Sequence, residues 1–251
     1  MSKLAAIVLA AGKGKRMKSK HVNKVVLKLD GRQMILYTID LLGNLKIGLV
    51  IAVVGFAKKS VMNVLKNKAI FAHQRKRLGT AHAVLCALKY LPEDATDVLV
   101  LNGDDSAFYN EKIIRDLIDK HRKKDSSFTF LTINMDNPIG LGRVIRNNEG
   151  KVNAVVEEKD ATLEQKRIKE INPACYVFNV EFLRKYLTKI KKSKITGEYY
   201  LTGLIDIAIK NNEKMETIRG SKLSWRGINT ISELKEAERL FLNSKQVWNF
   251  I

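Results

Sequence analysis

Cysteine is nearly missing from this chain of 251 residues: there are two, Cys86 and Cys175, far apart and without a C-x-x-C spacing. That argues against a structural zinc site and for reduced thiols. Proline is as scarce, three in all, and no Pro/Ser/Gly-rich linker, internal repeat or low-complexity segment divides the chain, so one compact domain over 1–251 is expected. No apolar run approaches the ~20 residues that cross a bilayer. The run after Lys3 is too short for a signal peptide and gives way at once to Gly-Lys-Gly-Lys-Arg. A cytoplasmic protein without a membrane partner is the expectation. Acidic residues are the other shortage: 26 Asp+Glu stand against 45 Lys+Arg, a net charge of +19. Such a field attracts nucleotides, nucleic acids and anionic surfaces. Yet the cations are spread along the chain, with short clusters only at Lys13 to Lys24, Arg75 to Arg77 and Lys189 to Lys194. A solvated Lys-rich surface accounts for the charge at least as well as a nucleic-acid groove, and no nucleic-acid-binding motif accompanies it.

What is present begins with an apolar run, Leu4 to Ala11, that meets Gly12 and Gly14 and then Lys13, Lys15 and Arg16. This reads as a buried parallel strand breaking into a tight turn that a ligand can approach closely. Successive N–H groups in such a turn make an anion-binding concavity, and neighbouring cations suit phosphates. The plain alternative is a strand followed by a solvated basic loop.

The rest of the first half alternates between two periods. Helices are predicted at Met34 to Leu42, Lys58 to Lys66, Thr80 to Leu91 and, capped by Asn110, Glu111 to His121; strands are predicted at 48–55, 69–72, 97–101 and 127–133. Strands alternating with helices give βαβ units and a Rossmann-like α/β fold: a mixed, mainly parallel sheet with helices on both faces. Ligands then bind beyond the carboxyl ends of the strands, where the glycine loop and Asn102-Gly-Asp-Asp105 both fall. From Asn134 the pattern changes to hairpin-like pairs: Arg143 to Arg146, a turn at 147–150, and Val152 to Glu157. Thr162 with Gln165 and Thr230 with Glu233 form capping boxes, and further helices are predicted at Glu181 to Ile190, at Glu198 to Lys210, and from Thr230 to about Phe241. Extended segments at 168–172, 174–179 and 215–219 complete this half.

These residues carry a family resemblance. Leu9-Ala-Ala-Gly-Lys-Gly-Lys-Arg-Met17 resembles the signature loop of the sugar-phosphate nucleotidyltransferases. Gln74 with Leu78-Gly-Thr-Ala-His-Ala83, Gly103-Asp104, Gly140-Leu-Gly-Arg-Val144, Val156-Glu-Glu-Lys-Asp160, Glu170-Ile-Asn172, Gly197-Glu-Tyr-Tyr-Leu-Thr202 and Gly227-Ile-Asn229 continue it in the family's order over nearly the full length. Together they are similar to the uridylyltransferase domain that makes UDP-N-acetylglucosamine. The resemblance implies Mg2+-dependent transfer of a uridylyl group from UTP to N-acetylglucosamine 1-phosphate, with UTP and the sugar phosphate as small-molecule partners. It also implies a nucleotide-binding half at 1–133 and a sugar-binding half with a closing helix at 134–251. Bifunctional members add a β-helical acetyltransferase; the absence of a hexapeptide repeat leads to the expectation of a stand-alone uridylyltransferase, monomeric or a weak dimer.

Matched position by position, the resemblance places Arg16 on the triphosphate and Lys24 near the α-phosphate as the catalytic cations. The segment between them is one residue longer than usual and the proline before the lysine is Asn23, which leaves Lys20 as a competitor. Leu9, Ala11, Gly12, Gly14, Lys24, Gln74, Gly79 and Thr80 match nucleotide positions. An amide such as that of Gln74 offers the uracil edge a donor and an acceptor. Asp104 and Asn229 match the oxygen ligands of magnesium, and Asp104, Gly142, Glu157, Asn172, Tyr199 and Asn229 the surroundings of the sugar phosphate. Asp105 departs from the family, while His82 reads as structural. Glu157 and Glu158 are neighbours that face opposite ways in a strand, and Glu157 is assigned to the cleft. Another sugar 1-phosphate uridylyl or thymidylyl transfer, cytidylyl transfer, or simple nucleotide or RNA binding remain the rival readings.

Overall fold

Strand β1 (Lys3–Ala10) is apolar at nearly every position because both of its faces are covered. Ala5 and Ile7 point into one core with Ile51, Val98 and Val100, whereas Ala6, Val8 and Ala10 point into a second with Ala52, Val54, Leu99 and Leu101. A strand's period of two deals alternate side chains to the two layers. The structure is a computed structural model that describes residues 3–14, 17, 21–104, 106–220 and 227–248; Lys15, Arg16, Lys20 and Asp105 lie outside the described residues.

The further elements are the short strands β2 (Lys28–Leu29) and β3 (Arg32–Gln33), α1 (Met34–Asn44), β4 (Leu49–Val54), α2 (Lys58–Leu65), β5 (Ile70–His73), α3 (Thr80–Leu88), β6 (Ala95–Asn102), α4 (Glu111–Lys123) and β7 (Phe128–Asn134). They are followed by β8 (Gly142–Arg146), β9 (Val152–Val156), α5 (Leu163–Lys166), β10 (Glu170–Asn172), β11 (Tyr176–Asn179), α6 (Val180–Tyr186), α7 (Gly203–Lys210), β12 (Met215–Gly220) and α8 (Ile231–Trp248). Ten strands form one sheet in the order β5-β4-β1-β6-β11-β7-β10-β8-β9, with β12 beside β7. The sheet is mixed and mainly parallel: β1 pairs in parallel with both β4 and β6, and only β9, β10 and β11 run against the other strands. Helices α3, α6 and α7 bury their apolar residues in the first core, and α1, α2 and α4 in the second. A third, smaller cluster (Met17, Leu29, Met34, Ile228 and Ala237) seats α8, with Tyr37 and Phe108 edge-on to Phe241.

Both capping boxes form, at Thr162/Gln165 and Thr230/Glu233, and the Asn110 side chain accepts from the Ile113 N–H at 2.8 Å. One predicted helix begins late: 198–202 is not helical, and α7 starts at Gly203. The cause is long-range. The Tyr199 N–H donates to the Leu78 carbonyl (2.7 Å), the Tyr199 carbonyl accepts from Ala81 N–H (3.0 Å), and Leu201 N–H donates to Thr80 Oγ1 (2.9 Å). A backbone whose donors and acceptors are committed to another segment cannot also close helical turns. Gly79 makes the approach possible: its φ is +101°, and a Cβ there would lie 2.3 Å from the Tyr199 carbonyl oxygen.

Candidate active site

The parallel strands β1 and β6 end side by side, and Gly103 N–H donates to the Leu9 carbonyl (3.1 Å). The glycine loop and Asp104 therefore leave the sheet edge together, which is where an open α/β sheet accepts ligands. Gly14 takes φ +56°, and a Cβ on it would sit 3.0 Å from Lys24 Cβ, so the loop and the lysine pack against one another. Lys24 Nζ is ion-paired with Asp104 and donates to Asn229 Oδ1 at 3.1 Å. Asn229 is held from behind: Glu233 Oε2 accepts from both the Asn229 N–H (2.7 Å) and the Thr230 N–H (2.8 Å). The α8 capping box thus carries the Asn229 side chain to a lysine 205 positions away.

Two clefts open from this point. The larger, about 430 Å³, is lined by Leu9, Ala11, Gly12, Gly14, Lys24, Gln74, Gly79, Thr80 and Asp104, and joined by Lys13, Arg77 and Glu198. Every assigned nucleotide position falls in it. Gln74 is buried; its Nε2 donates to the Gly79 carbonyl (3.0 Å) and lies 3.1 Å from His82 Nδ1. His82, on α3, thus stands against the Gln74 amide.

The smaller cleft, about 260 Å³, shares Leu9, Lys24, Thr80 and Asp104 and adds Gly142, Glu157, Asn172, Tyr176, Thr202 and Asn229. Asn172, at the end of β10, is buried; its Nδ2 donates to the Tyr176 hydroxyl and its Oδ1 accepts from Ala174 N–H (3.0 Å). Glu157 Oε1 accepts from the Thr202 hydroxyl (3.0 Å). Burial pushes the Glu157 carboxyl above its ordinary value, with Thr202 opposing and the charges of Asp160 and Glu198 adding to the rise. Gly142 lies beside it, with room for the carboxylate where a Cβ would be 3.6 Å from Oε2. Glu158 turns the other way and pairs at 2.7 Å with Arg143, whose side chain is fully buried behind the β8–β9 hairpin.

Among the described residues, Tyr199 is the assigned one that borders neither cleft. Its ring lines a separate apolar cavity with Leu78, Ala81, His82, Leu85 and Leu187, because its backbone is docked on Leu78 and Ala81. Tyr200 and Thr202 face the smaller cleft in its place. Thr202 and Tyr176 were missed in the sequence; Thr202 ends the Gly197 to Thr202 motif, and Tyr176 carried no local signal. Arg77 and Glu198 were also missed, although Arg77 closes the Arg75 to Arg77 cluster.

A glycine loop, a lysine and a carboxylate converging beyond parallel strand ends define a nucleotide-binding transferase site. The particular family follows from comparison: the nucleotidyl transferase family model matches residues 5–244, and the chain belongs to that family. It is 42% identical over 236 residues to the bifunctional protein GlmU of Caldicellulosiruptor saccharolyticus, covering 93% of this chain and 50% of that protein. It is 40% identical over 240 residues to that of Thermoanaerobacter pseudethanolicus, covering 96% and 52%. The chain thus spans about half the length of these curated relatives. A Bacillus anthracis structure described as a glucose-1-phosphate thymidylyltransferase shares the fold, with a TM-score of 0.79 at 19% identity over 95% of both chains. The match makes the protein a nucleotidyltransferase. Among the described residues no helix is long and apolar enough to cross a membrane.

Proposed function

We propose that the chain transfers a uridylyl group from UTP to N-acetylglucosamine 1-phosphate, releasing pyrophosphate. The observation that carries the reading is the junction of the two clefts at Lys24, Thr80 and Asp104. One cleft has a loop and cations for a triphosphate; the other has a carboxylate and a primary amide on a space the size of a sugar. The ordered motifs quoted above, and relatives called GlmU, support the choice of substrates.

In this reading a phosphate oxygen of the sugar 1-phosphate attacks the α-phosphorus of UTP. A P–O bond forms there, the α–β anhydride bond breaks, and its electron pair leaves on pyrophosphate. Two polyanions must meet, so neutralising charge is the main demand on the site. Lys24 lies at the junction and neutralises phosphate oxygens on both substrates. Gln74, its Nε2 held by the Gly79 carbonyl and against His82, presents its Oε1 as an acceptor to the base edge. Glu157 accepts from sugar hydroxyls and Asn172 pairs with the acetamido group. The donor set suits magnesium: the Asp104 carboxylate and the Asn229 amide oxygen converge on one cation already, the Lys24 ammonium, and both are hard oxygen ligands. Among the described residues no cluster of three His, Cys, Asp or Glu competes for a metal. Asp104 and Asn229 would hold Mg2+, which would supply electrostatic stabilisation of charge on the transferring phosphoryl group.

The test is pyrophosphate release with Mg2+, crossing UTP, CTP and dTTP against N-acetylglucosamine 1-phosphate and glucose 1-phosphate. Selective release with UTP and the acetamido sugar is expected. Preference for another pair overturns the specificity and leaves the phosphoryl chemistry; no release with any pair overturns the reading.

A further inference from the structure

Asn23 is a heavily bonded side chain beside the larger cleft and has no part in the chemistry above. It is 1% exposed. Its Nδ2 donates to three carbonyls, of Ala10 (2.9 Å), Gly12 (3.2 Å) and Phe56 (2.9 Å), so two protons serve three acceptors and one bond is bifurcated. Its Oδ1 accepts from Val25 N–H (3.2 Å) and caps the single 3-10 turn that begins at Lys24. Its own N–H donates to Ser60 Oγ (3.0 Å), and that hydroxyl donates to the Ala57 carbonyl (2.8 Å). One amide thus ties together the end of β1, the glycine loop, the turn after β4 and the 3-10 turn that begins at Lys24.

The bonds have a directional consequence. In a trans peptide the C=O and the following N–H point opposite ways. The Ala11 carbonyl is taken by the Phe56 N–H (3.1 Å) and the Gly12 carbonyl by Asn23. Both oxygens are held back against the protein, which turns the N–H groups of Gly12 and Lys13 away from Asn23 and towards the larger cleft that these residues line. The same side chain sets where the Lys24 turn begins, and Lys24 packs on Gly14.

We infer that Asn23 is a positioning residue for the transfer step: it holds the phosphate-facing loop and Lys24 as one rigid cradle, so that both meet the triphosphate at a fixed separation. The inference rests on reading the larger cleft as the nucleotide site. It concerns binding and reaction of the triphosphate, and makes no demand on which sugar is used.

The experiment compares the whole protein with its Asn23→Ala variant by steady-state kinetics and by calorimetric titration with UTP alone. Leaving buried carbonyls without a donor costs enough that kcat/KM for UTP should fall about 10- to 30-fold. The KM for the sugar phosphate should rise by no more than about threefold, because Lys24 borders both clefts but the glycine loop that Asn23 also holds belongs to the larger one alone. In a Lys24→Met background the same change should cost no more than about threefold in kcat, since groups that act as one unit are non-additive. Ser60→Ala, which removes only the peripheral anchor, should show the same pattern at about threefold, the scale of one ordinary hydrogen bond, and serves if Asn23→Ala does not fold. A lower melting temperature with unchanged kinetics, equal losses for both substrates, or a full effect without Lys24 overturns the inference. If no sugar phosphate reacts, the proposed function fails by itself, and the inference is decided by UTP affinity: equal binding by wild type and variant, or none by wild type, overturns it.

Discussion

The two clefts are built in different ways. The larger is bordered by two main-chain turns: the Ala11–Gly14 loop and the turn at Gly79 are shaped by carbonyl partners and by positive φ at Gly14 and Gly79. The smaller is made of side chains that converge from separate elements: Gly142 on β8, Glu157 after β9, Asn172 on β10 and Thr202 before α7. A main-chain site binds what every nucleotide has in common, its phosphates, and leaves little to adjust. A side-chain site distinguishes one sugar from another through a few placed donors and acceptors, and each is replaceable without disturbing the sheet.

Asp104 belongs to both clefts, so its removal should breach the division between them most deeply. Asp104→Ala takes away the carboxylate that pairs with Lys24 and that the proposed metal needs. Turnover, measured as pyrophosphate release at saturating substrates, should fall by about 10²–10³-fold or more, the scale of a lost electrostatic contact to the transferring group. Wild-type-like turnover in that variant would falsify the assignment of Asp104 as a metal donor.

The halves meet at Gly79, and there the comparison becomes one about stability. Gly79→Ala would place a methyl group 2.3 Å from the Tyr199 carbonyl oxygen at a backbone φ of +101°. The 199–201 segment must then lift off Leu78 and Thr80, costing about 2–4 kcal/mol in denaturant unfolding. Because Thr80 borders both clefts, KM should rise for both substrates. A loss under about 0.5 kcal/mol, the range of a neutral surface change, would mean that this docking does not join the halves.

The same division decided what could be read in the sequence. The main-chain cleft was legible because its parts are short contiguous motifs: an apolar strand running into Gly12 and Gly14, and Leu78-Gly-Thr opening a helix. Glu157 and Glu158 do part as expected, but not through a strand's alternation: β9 ends at Val156 and the two lie in the turn beyond it. Two neighbours further along show the limit. Tyr199 and Tyr200 differ by one position, and which of them faces the cleft depends on backbone bonds from Tyr199 to Leu78 and Ala81, more than 110 residues earlier. No local periodicity records such a bond, so 198–202 read as helix, and matching to the family's motif, which put Tyr199 at the sugar, did not record it either. Thr202 acts through Glu157 and Glu233 through Asn229; a residue that positions another is visible only once both are placed.

The mildest change tests the side-chain cleft by itself. Burial holds the Glu157 carboxyl above its ordinary value of 4.5. A carboxyl whose folded value exceeds its unfolded one binds its proton more readily in the folded state, so ionising it weakens the fold. That penalty is complete at pH above the raised value, shrinks as pH falls through it, and is gone below the unfolded value. Glu157→Gln keeps an acceptor for the Thr202 hydroxyl and removes the charge. Its melting temperature should exceed wild type by about 2 °C at pH 7–8, the scale of a sub-kcal gain in a chain this long, and the two should converge towards pH 4. Binding should show the opposite preference: wild-type KM for the sugar phosphate worsens as pH falls towards the raised value, while the Gln variant starts weaker and stays flat. KM for UTP should move in neither protein. If the Gln variant melts below wild type by the same amount at pH 7 and pH 4, the carboxylate is a structural acceptor, and sugar discrimination must rest on Asn172 and the backbone around Gly142.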